Sequence, residues 1–239
     1  YKKQFEWIKE VSRQVTADSF EQLDIAFKNF FQKKAGYPKF KSKKKSKPSF
    51  YVRYDAIKFN NNTVQIEKIG KVKFSSNYKI PQFDKYVNPR ASFDGKYWYL
   101  SLGFEQEKPR LELTDEIVGI DLGVSNLAIV SNIKEPIKNI NKSKKVKQLK
   151  KKLKRKQRKI SKKYEMNKQG SKFVKTQNII KAEKEAKLLH RKLHNIRLNH
   201  IHQATSMIVK TKPSRVVMED LNISGMMKNR QLAKAIHEQ

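Results

Sequence analysis

The sequence lacks cysteine and long apolar runs, and each absence excludes a class of protein. Without cysteine, the chain can form neither a disulfide framework nor a thiolate zinc site. No stretch approaches the roughly 18 consecutive apolar residues of a membrane span, and no signal peptide is visible. We therefore predict a cytoplasmic protein with no membrane partner.

Acidic residues are also scarce, because 22 Asp and Glu stand against 55 Lys and Arg, for a formal net charge of +33. Self-repulsion of this size destabilises a compact chain unless a polyanion neutralises it. Most of the excess is Lys, a mobile point charge that suits phosphate better than bidentate reading of bases. The composition favours salt-sensitive binding to nucleic-acid backbones. We therefore expect a nucleoid-associated protein with no small-molecule substrate. Ribosomal and architectural proteins share this composition.

Residues 1–35 are predicted to be helical. Apolar residues recur at helical spacing over 5–34, and Thr16 or Asp18 is a candidate cap for the start of the helix. Five apolar residues share one face, which we expect to pack on a neighbouring element: Phe20, Leu23, Phe27, Phe30 and Phe31.

Residues 36–115 change to a period of two, which is typical of strands. Short aromatic and β-branched runs recur at 49–54, 56–59, 64–66, 71–74, 86–93 and 97–104. Turn signals at 60–62 and at Asp94-Gly95 separate them, which predicts a small antiparallel β-barrel or sandwich. The opening stretch, 36–45, mixes aromatic residues with lysines, so Lys39 and Lys41 are candidate nucleic-acid contacts. The alternative is that its aromatic side chains belong to the core.

Residues 116–239 begin with strand-like runs at 117–122, 126–132 and 136–140, followed by a basic helical insertion over 142–210. Residues 138–175 hold eighteen Lys or Arg and one acid, Glu165. Apolar residues at helical spacing within this segment predict a real helix rather than a disordered tail, and Gly170-Ser171 separates it from a second helix. The densest cations are predicted to bind nucleic acid: Lys144, Lys145, Lys147, Lys151, Arg155, Arg158 and Lys159.

Two acidic residues, Asp121 and Glu219, each close an apolar run that is predicted to be a buried strand. A carboxylate at such a position is costly to bury unless a positive charge compensates it. The order of a strand ending in Asp, a hairpin, helices and a strand ending in Glu is that of an RNase H-like nuclease. Such sites hold two Mg²⁺ ions through shared carboxylates and cut a phosphodiester by in-line displacement. Asp121 and Glu219 are therefore the predicted catalytic residues and metal ligands.

Other interpretations compete with this one. Asp121 alone could be a turn residue, and Glu219 with Asp220 could be a solvated strand end. Asp220 is the weaker candidate, because strand alternation would point it to the opposite face. Residues 119–126 also resemble the first phosphate loop of actin-like ATPases, although the 8 glycines are not clustered as those folds require. His190 and His194 have a metal-compatible spacing, but a zinc site is not expected from them.

Three motifs resemble the TnpB (OrfB) proteins of bacterial insertion sequences, relatives of the type V CRISPR effectors. They are Gly-Tyr-Pro-Lys-Phe-Lys at 36–41, Val-Gly-Ile-Asp-Leu-Gly-Val-Ser-Asn-Leu-Ala at 118–128, and Val-Val-Met-Glu-Asp-Leu-Asn at 216–222. Residues 193–197 and the helix around them also match the family. The resemblance follows the family's order over nearly the whole chain.

The resemblance implies an α+β and α/β multidomain protein. Its parts would be a helical remnant of a recognition region (1–35), a wedge-type β-barrel (36–115) and an incomplete RuvC-like nuclease domain (116–239). The implied activity is RNA-guided DNA cutting, with a guide RNA and double-stranded target DNA as partners. In the family, a third carboxylate and a four-cysteine zinc ribbon lie beyond the position of Gln239. We therefore expect weak metal binding and little cutting by this chain alone. The alternative is a non-cleaving, RNA-guided or architectural binding protein.

Overall fold

The computed structural model describes residues 4–42, 46–81, 85–107 and 110–238. The chain divides into two compact units, residues 1–108 and 109–239. Lysines 43–45, part of the predicted aromatic and basic stretch, lie outside the described residues. Within the described ranges, none of the helices combines the length and apolar character needed to cross a bilayer.

The first unit contains one long helix and six short strands. Its elements are α1 (Arg13–Phe31), β1 (Ser49–Tyr51), β2 (Lys58–Asn60), β3 (Thr63–Ile66), β4 (Gly70–Lys73), β5 (Val87–Phe93) and β6 (Trp98–Gly103). Each predicted β run coincides with one strand, and the strand ends differ from the predicted ends by up to three residues. The two predicted turns are also present: Asn61 has a φ of 43° and Gly95 a φ of 97°, and the Asp94 carboxylate accepts hydrogen bonds from the backbone of the second turn.

The six strands form two antiparallel sheets rather than a closed barrel in the described part of the unit. Their orders are β1-β5-β6 and β2-β3-β4. Both sheets contribute to one apolar core: Val52, Ile57, Val64, Ile66, Tyr86 and Ala91. The alternation of buried and exposed residues predicted the strands correctly. Closure into a barrel depends on pairing between strands far apart in sequence, which that alternation does not encode.

Helix α1 differs from its prediction at its start and in the face that it buries. Its cap is Ser12, whose hydroxyl accepts a hydrogen bond from the Gln14 backbone N–H and donates to Glu67 at 2.7 Å. The predicted caps, Thr16 and Asp18, lie inside the helix. The helix packs through its polar side, where Asp18 pairs with Arg90 of β5 at 2.8 Å.

The aromatic face of α1 does not pack as predicted. Phe20 and Phe31 are 75% and 74% exposed. The aromatic rings near the end of the helix contact one another instead, and Tyr37 packs edge-on against Phe27 and Phe30. A partly buried ion pair therefore fixes which side of the helix faces the sheets, and the apolar stripe does not.

The second unit combines a mixed sheet with a long helical hairpin. Its elements are β7 (Ile117–Leu122), β8 (Asn126–Val130), β9 (Ile137–Lys138), α2 (Lys144–Met166), β10 (Lys168–Gln169), β11 (Lys172–Phe173), α3 (Gln177–Val209), β12 (Arg215–Met218), α4 (Ile223–Met226) and α5 (Ala233–Glu238). The main sheet has the order β12-β7-β8-β9, with β12 parallel to β7. The meander, the two helices and the returning strand match the predicted order of elements.

Helix α2 pairs with α3 through apolar residues of both helices. The shared core contains Val146, Leu153, Ala186 and Leu193. The tip is the small β10-β11 hairpin, in which Gly170 takes a φ of 57°, a left-handed conformation that favours glycine. The other end of α3 packs Ala204 and Ile208 on one face of the main sheet.

Strand β12 was predicted to be buried, and this prediction is wrong. All four of its residues are exposed, and Val217 and Met218 are both 51% exposed. Among the residues that the structure describes, the strand lies at the edge of the sheet and pairs with β7 alone. An apolar sequence indicates a strand but does not distinguish a central strand from an edge.

Candidate metal and nucleic-acid site

Parallel pairing of β7 with β12 brings together the strand ends that carry the two predicted carboxylates. The pairs run from Arg215 opposite Ile117 to Met218 opposite Ile120. Glu219 directly follows the last paired residue, so the same register continued by one residue would bring it opposite Asp121. Adjacent strands lie about 4.8 Å apart, and paired residues of parallel strands point to the same face. In that register the two side chains would project side by side from one end of the sheet.

Hydrogen bonds ahead of the two strands fix this register. The Ser214 hydroxyl and its backbone N–H both donate to the Glu116 carbonyl at 2.9 Å, across a sequence separation of 98 residues. The Thr114 hydroxyl donates to the Lys212 carbonyl at 3.0 Å, with the same separation. Every pair between β7 and β12 keeps that separation. A slip by one residue would turn Glu219 to the other face.

The carboxylates occupy the sheet face that α3 leaves open. Val118 and Val130 point toward Ala204 and Ile208 of α3, and alternation along β7 places Asp121 on the opposite face. There Asp121 pairs across the sheet with Ile129, which is 50% exposed. Both carboxylates are exposed as well, so no compensating charge is needed to offset burial. Solvent and a substrate can reach them from this face.

The described residues leave both carboxylates available to a ligand. Neither Asp121 nor Glu219 forms a side-chain hydrogen bond or ion pair with any part of the chain that the structure describes. In the same ranges, no group of three or more His, Asp or Glu is placed to hold a metal. Mg²⁺ is commonly held by one or two carboxylates, with waters and substrate phosphates completing its shell. Two adjacent, solvent-facing carboxylates fit that requirement.

Gly119 lies two residues before Asp121 on the same face. A Cβ added there would meet only the Ser131 side chain, at 4.0 Å, an ordinary contact. The fold therefore does not require glycine at this position. Its effect is to keep the surface beside Asp121 free of a side chain.

All nine predicted nucleic-acid contacts are exposed, and two of them belong to the first unit and seven to the second. Lys39 and Lys41 lie in an extended segment of the first unit, next to Phe40, whose side chain is fully exposed. The other seven lie on α2, away from its contact with α3: Lys144, Lys145, Lys147, Lys151, Arg155, Arg158 and Lys159. Two other lysines of α2 are held in ion pairs, Lys150 with Glu238 and Lys156 with Glu185.

The start of α2 is attached to the loop that follows Asp121. The Asn139 side chain donates to the Val124 carbonyl at 3.0 Å, and the Lys142 ammonium donates to the Ser125 hydroxyl at 3.2 Å. The basic helix therefore begins at the carboxylate end of the sheet. Sequence reasoning missed these connections, because Asn139 and Lys142 carry no pattern that marks them as tethers.

Comparison with known proteins identifies the family. The OrfB_IS605 family, described as a probable transposase, matches residues 101–230, which include both carboxylates and the whole helical hairpin. The chain belongs to this family. This is the TnpB (OrfB) family predicted from the three motifs. Because the chain belongs to it, the alternative resemblance of residues 119–126 to actin-like ATPases is set aside.

Two curated relatives carry the same provisional name, RNA-guided DNA endonuclease. InsQ of Escherichia coli (strain K12) is 29% identical over 228 residues, which cover 94% of this chain and 52% of InsQ. A Streptomyces pristinaespiralis protein is 26% identical over 236 residues, which cover 97% of this chain and 55% of the relative. The chain thus spans about half the length of the curated relatives that it matches.

A solved structure is also similar. It is the cryo-EM structure of the Cas12f1–sgRNA–target DNA complex, at 15% identity and a TM-score of 0.47, covering 85% of this chain and 52% of that one.

Proposed function

We propose that this protein is an RNA-guided DNA endonuclease of a transposable element, with a RuvC-like domain over residues 116–239. Membership of the OrfB family and the provisional names of its two curated relatives support this assignment. The observation that carries the proposal is the parallel register of β7 and β12, which pairs Met218 with Ile120, the residues directly before Glu219 and Asp121. Residues 36–115 would act as the wedge-type β domain, and residues 1–35 as part of the recognition region.

In this mechanism Asp121 and Glu219 would hold two divalent metal ions through their carboxylate oxygens. Mg²⁺ held there would supply an activated water for attack and would stabilise the departing 3′ oxygen. The open face admits the phosphodiester beside the carboxylates, and Gly119 leaves room for its backbone. With two carboxylates in this chain we expect weak metal affinity, and weak cutting by the 239-residue chain alone.

The excess of lysine fits a division of labour between protein and RNA. In RNA-guided nucleases, base pairing with the guide reads the target sequence, while the protein holds backbone and shape. Exposed Lys and Arg on α2, together with Lys39 and Lys41, would neutralise phosphates without reading bases. The proposed partners are therefore a guide RNA and double-stranded target DNA.

The test uses the protein purified together with RNA from its host, with that RNA sequenced to define the matching DNA. In Mg²⁺, the native protein should cut the matched DNA. Asp121→Asn should reduce the cutting rate by at least about a hundredfold, because it removes a negatively charged metal ligand, and should leave DNA binding nearly unchanged. Asp220→Asn is the matched control, since strand alternation directs Asp220 away from the pair.

A second candidate function is non-cleaving, RNA-guided or architectural binding, which the large positive charge favours. It predicts salt-dependent binding to nucleic acid and no Mg²⁺-dependent product. Unchanged cutting by Asp121→Asn, or equal losses in Asp121→Asn and Asp220→Asn, would show that the site assignment is wrong. Absence of cutting by the native protein with its RNA would favour the binding function.

A further inference from the structure

The cations of α2 fall into two classes that the sequence does not separate. Lys150 and Lys156 lie at the edges of the helix that face the rest of the unit, and Glu238 and Glu185 neutralise them. The outward cations form no ion pair with the described residues. Because only the second class keeps its charge available, the structure selects which cations can bind an external polyanion.

Six of the outward cations form one straight stripe along the helix. Successive members are separated by three or four residues, which places them on a single face. The stripe spans about 27 Å at about 1.5 Å of rise per residue, and neighbouring charges lie about 5 Å apart along the axis. Its members are Lys144, Lys147, Lys151, Arg155, Arg158 and Lys162. Lys145 and Lys159 flank the stripe, and Lys162 is an addition to the predicted contacts.

The composition of the stripe favours contact with phosphates alone. Its members are Lys and Arg, with no aromatic side chain among them on which a base could stack. The buried apolar residues of α2, Val146 and Leu153, are on the opposite side against α3. A surface of this kind should bind without sequence preference and should respond strongly to salt.

The straightness of the stripe favours an unpaired strand over a duplex. Each strand of B-form DNA winds once around the axis in about 34–36 Å. Over a straight row of cations about 27 Å long, one strand of a duplex therefore curves away, and only a few of its phosphates can contact the row. A flexible single strand has no such restriction and can follow the stripe from end to end.

The position of the stripe indicates which nucleic-acid strand binds to it. Its first member, Lys144, follows the segment in which Asn139 and Lys142 bind residues 124 and 125, just after Asp121. We propose, resting on the proposed nuclease function, that the α2 stripe is a track for the phosphates of one unpaired DNA strand. A strand on this track has one end beside Asp121 and Glu219.

The first test compares two variants of the 239-residue protein with the same change in net charge. The stripe variant combines Lys147→Gln, Lys151→Gln and Lys162→Gln. The control variant combines Lys150→Gln, Lys156→Gln and Lys175→Gln, three lysines that are ion-paired with glutamates. Affinity for a labelled oligothymidylate is measured by fluorescence anisotropy as a function of salt, without guide RNA or divalent metal.

For the stripe variant, the slope of log affinity against log salt should become less negative by about 2, at about 0.7 per phosphate contact. For the control variant, this slope should change by less than the value for one phosphate contact. The stripe variant should lose less affinity for a duplex than for the single strand. Equal changes of slope in the two variants would mean that the net charge of the protein, and not the stripe, determines binding. That result would contradict the proposed track. A larger loss on the duplex would overturn the assignment to an unpaired strand.

The second test uses the absence of cysteine, which makes any introduced thiol unique. Gln148 lies beside the stripe and is exposed, so Gln148→Cys can carry an iron chelate that generates hydroxyl radicals. In the complex with guide RNA and target DNA, the radicals should cut the DNA strand. Cuts confined to the RNA would overturn the DNA assignment. The first test requires neither guide nor cutting, so failure of the proposed nuclease function would be seen separately.

Discussion

At the scale of single residues, helix α1 offers two Asp side chains that differ mainly in burial. Asp18 pairs with Arg90 across the first unit, and their side chains are 12% and 27% exposed. Asp24 pairs with Lys28 on the helix surface, with exposures of 61% and 67%. Surface pairs contribute about 0–1 kcal/mol, whereas removing one partner of a buried pair leaves a charge that is poorly solvated.

We predict that Asp18→Asn lowers the free energy of unfolding of the first unit by about 2 kcal/mol, because Arg90 remains partly buried without its carboxylate. Asp24→Asn, on the same helix, should cost less than about 0.5 kcal/mol. Urea denaturation, followed through the tryptophan fluorescence of the first unit, measures both. Equal effects of the two variants would show that the pair does not hold α1 against the sheets.

The place of the two carboxylates at the ends of strands could be predicted from sequence, but their exposure could not. Asp121 and Glu219 follow short apolar runs, and that pattern needs no tertiary information. Their exposure depends on two facts of the tertiary structure: α3 covers only one face of the sheet, and β12 lies at its edge. The tethers at Glu116 and Ser214 could not be predicted either, because they involve backbone groups that every sequence possesses.

At the scale of elements, the tip of the α2–α3 hairpin is held by a polar cluster. The Glu183 carboxylate accepts a hydrogen bond from the Tyr164 hydroxyl at 2.7 Å and pairs with Lys175 at 2.6 Å. Tyr164 also packs edge-on against Phe173 of the small β-hairpin. Hydrogen bonding from Lys175 lowers the pKa of Glu183, against the opposing effect of desolvation, and the Tyr164 hydroxyl lowers it further.

This shift makes the stability of the tip depend on pH. A carboxyl group with a lowered pKa in the folded state stabilises the fold above its unfolded value, near 4.5, and loses that contribution as the pH falls through the lower folded value. We predict that Glu183→Gln lowers the free energy of unfolding at neutral pH by about 1 kcal/mol. Below pH 4.5 the difference from the native protein should shrink toward zero.

Thermal unfolding at a series of pH values tests this prediction. Glu165→Gln is the control, since Glu165 lies exposed on the same hairpin and has no partner among the described residues. It should leave the melting temperature unchanged within about 1 °C across the series. A Glu183→Gln difference that persists at low pH would mean that packing, and not the charge of the carboxylate, holds the tip.

The helices also show what the periodicity of apolar residues can predict and what it cannot. The apolar positions of α2 and α3 predicted the two helices correctly, and the structure shows that their apolar stripes bury each other. The stripe of α1 was equally clear, yet Phe20 and Phe31 are exposed. Its orientation follows from Arg90, which lies 72 residues from Asp18. Periodicity identifies a face, but the long-range partner decides whether that face is covered.

At the scale of the whole molecule, the net charge of +33 acts on stability and on binding in opposite directions. Repulsion among unpaired cations destabilises the compact chain. Salt screens this repulsion, since the Debye length falls from about 30 Å at 0.01 M to about 8 Å at 0.15 M. The same salt competes with Lys and Arg for phosphates, so it weakens binding to nucleic acid.

We therefore predict that added salt raises the stability of the fold and lowers its affinity for nucleic acid. Raising NaCl from about 0.01 M to 0.15 M should increase the melting temperature by several degrees, as the screening length shortens below the size of the molecule. Over the same range, affinity for an oligothymidylate should fall by at least about a hundredfold, as expected for several phosphate contacts. Differential scanning fluorimetry and fluorescence anisotropy on one preparation measure the two effects. A melting temperature that falls with salt would mean that attractive ion pairs, such as Asp18–Arg90, outweigh the repulsion of the surplus cations.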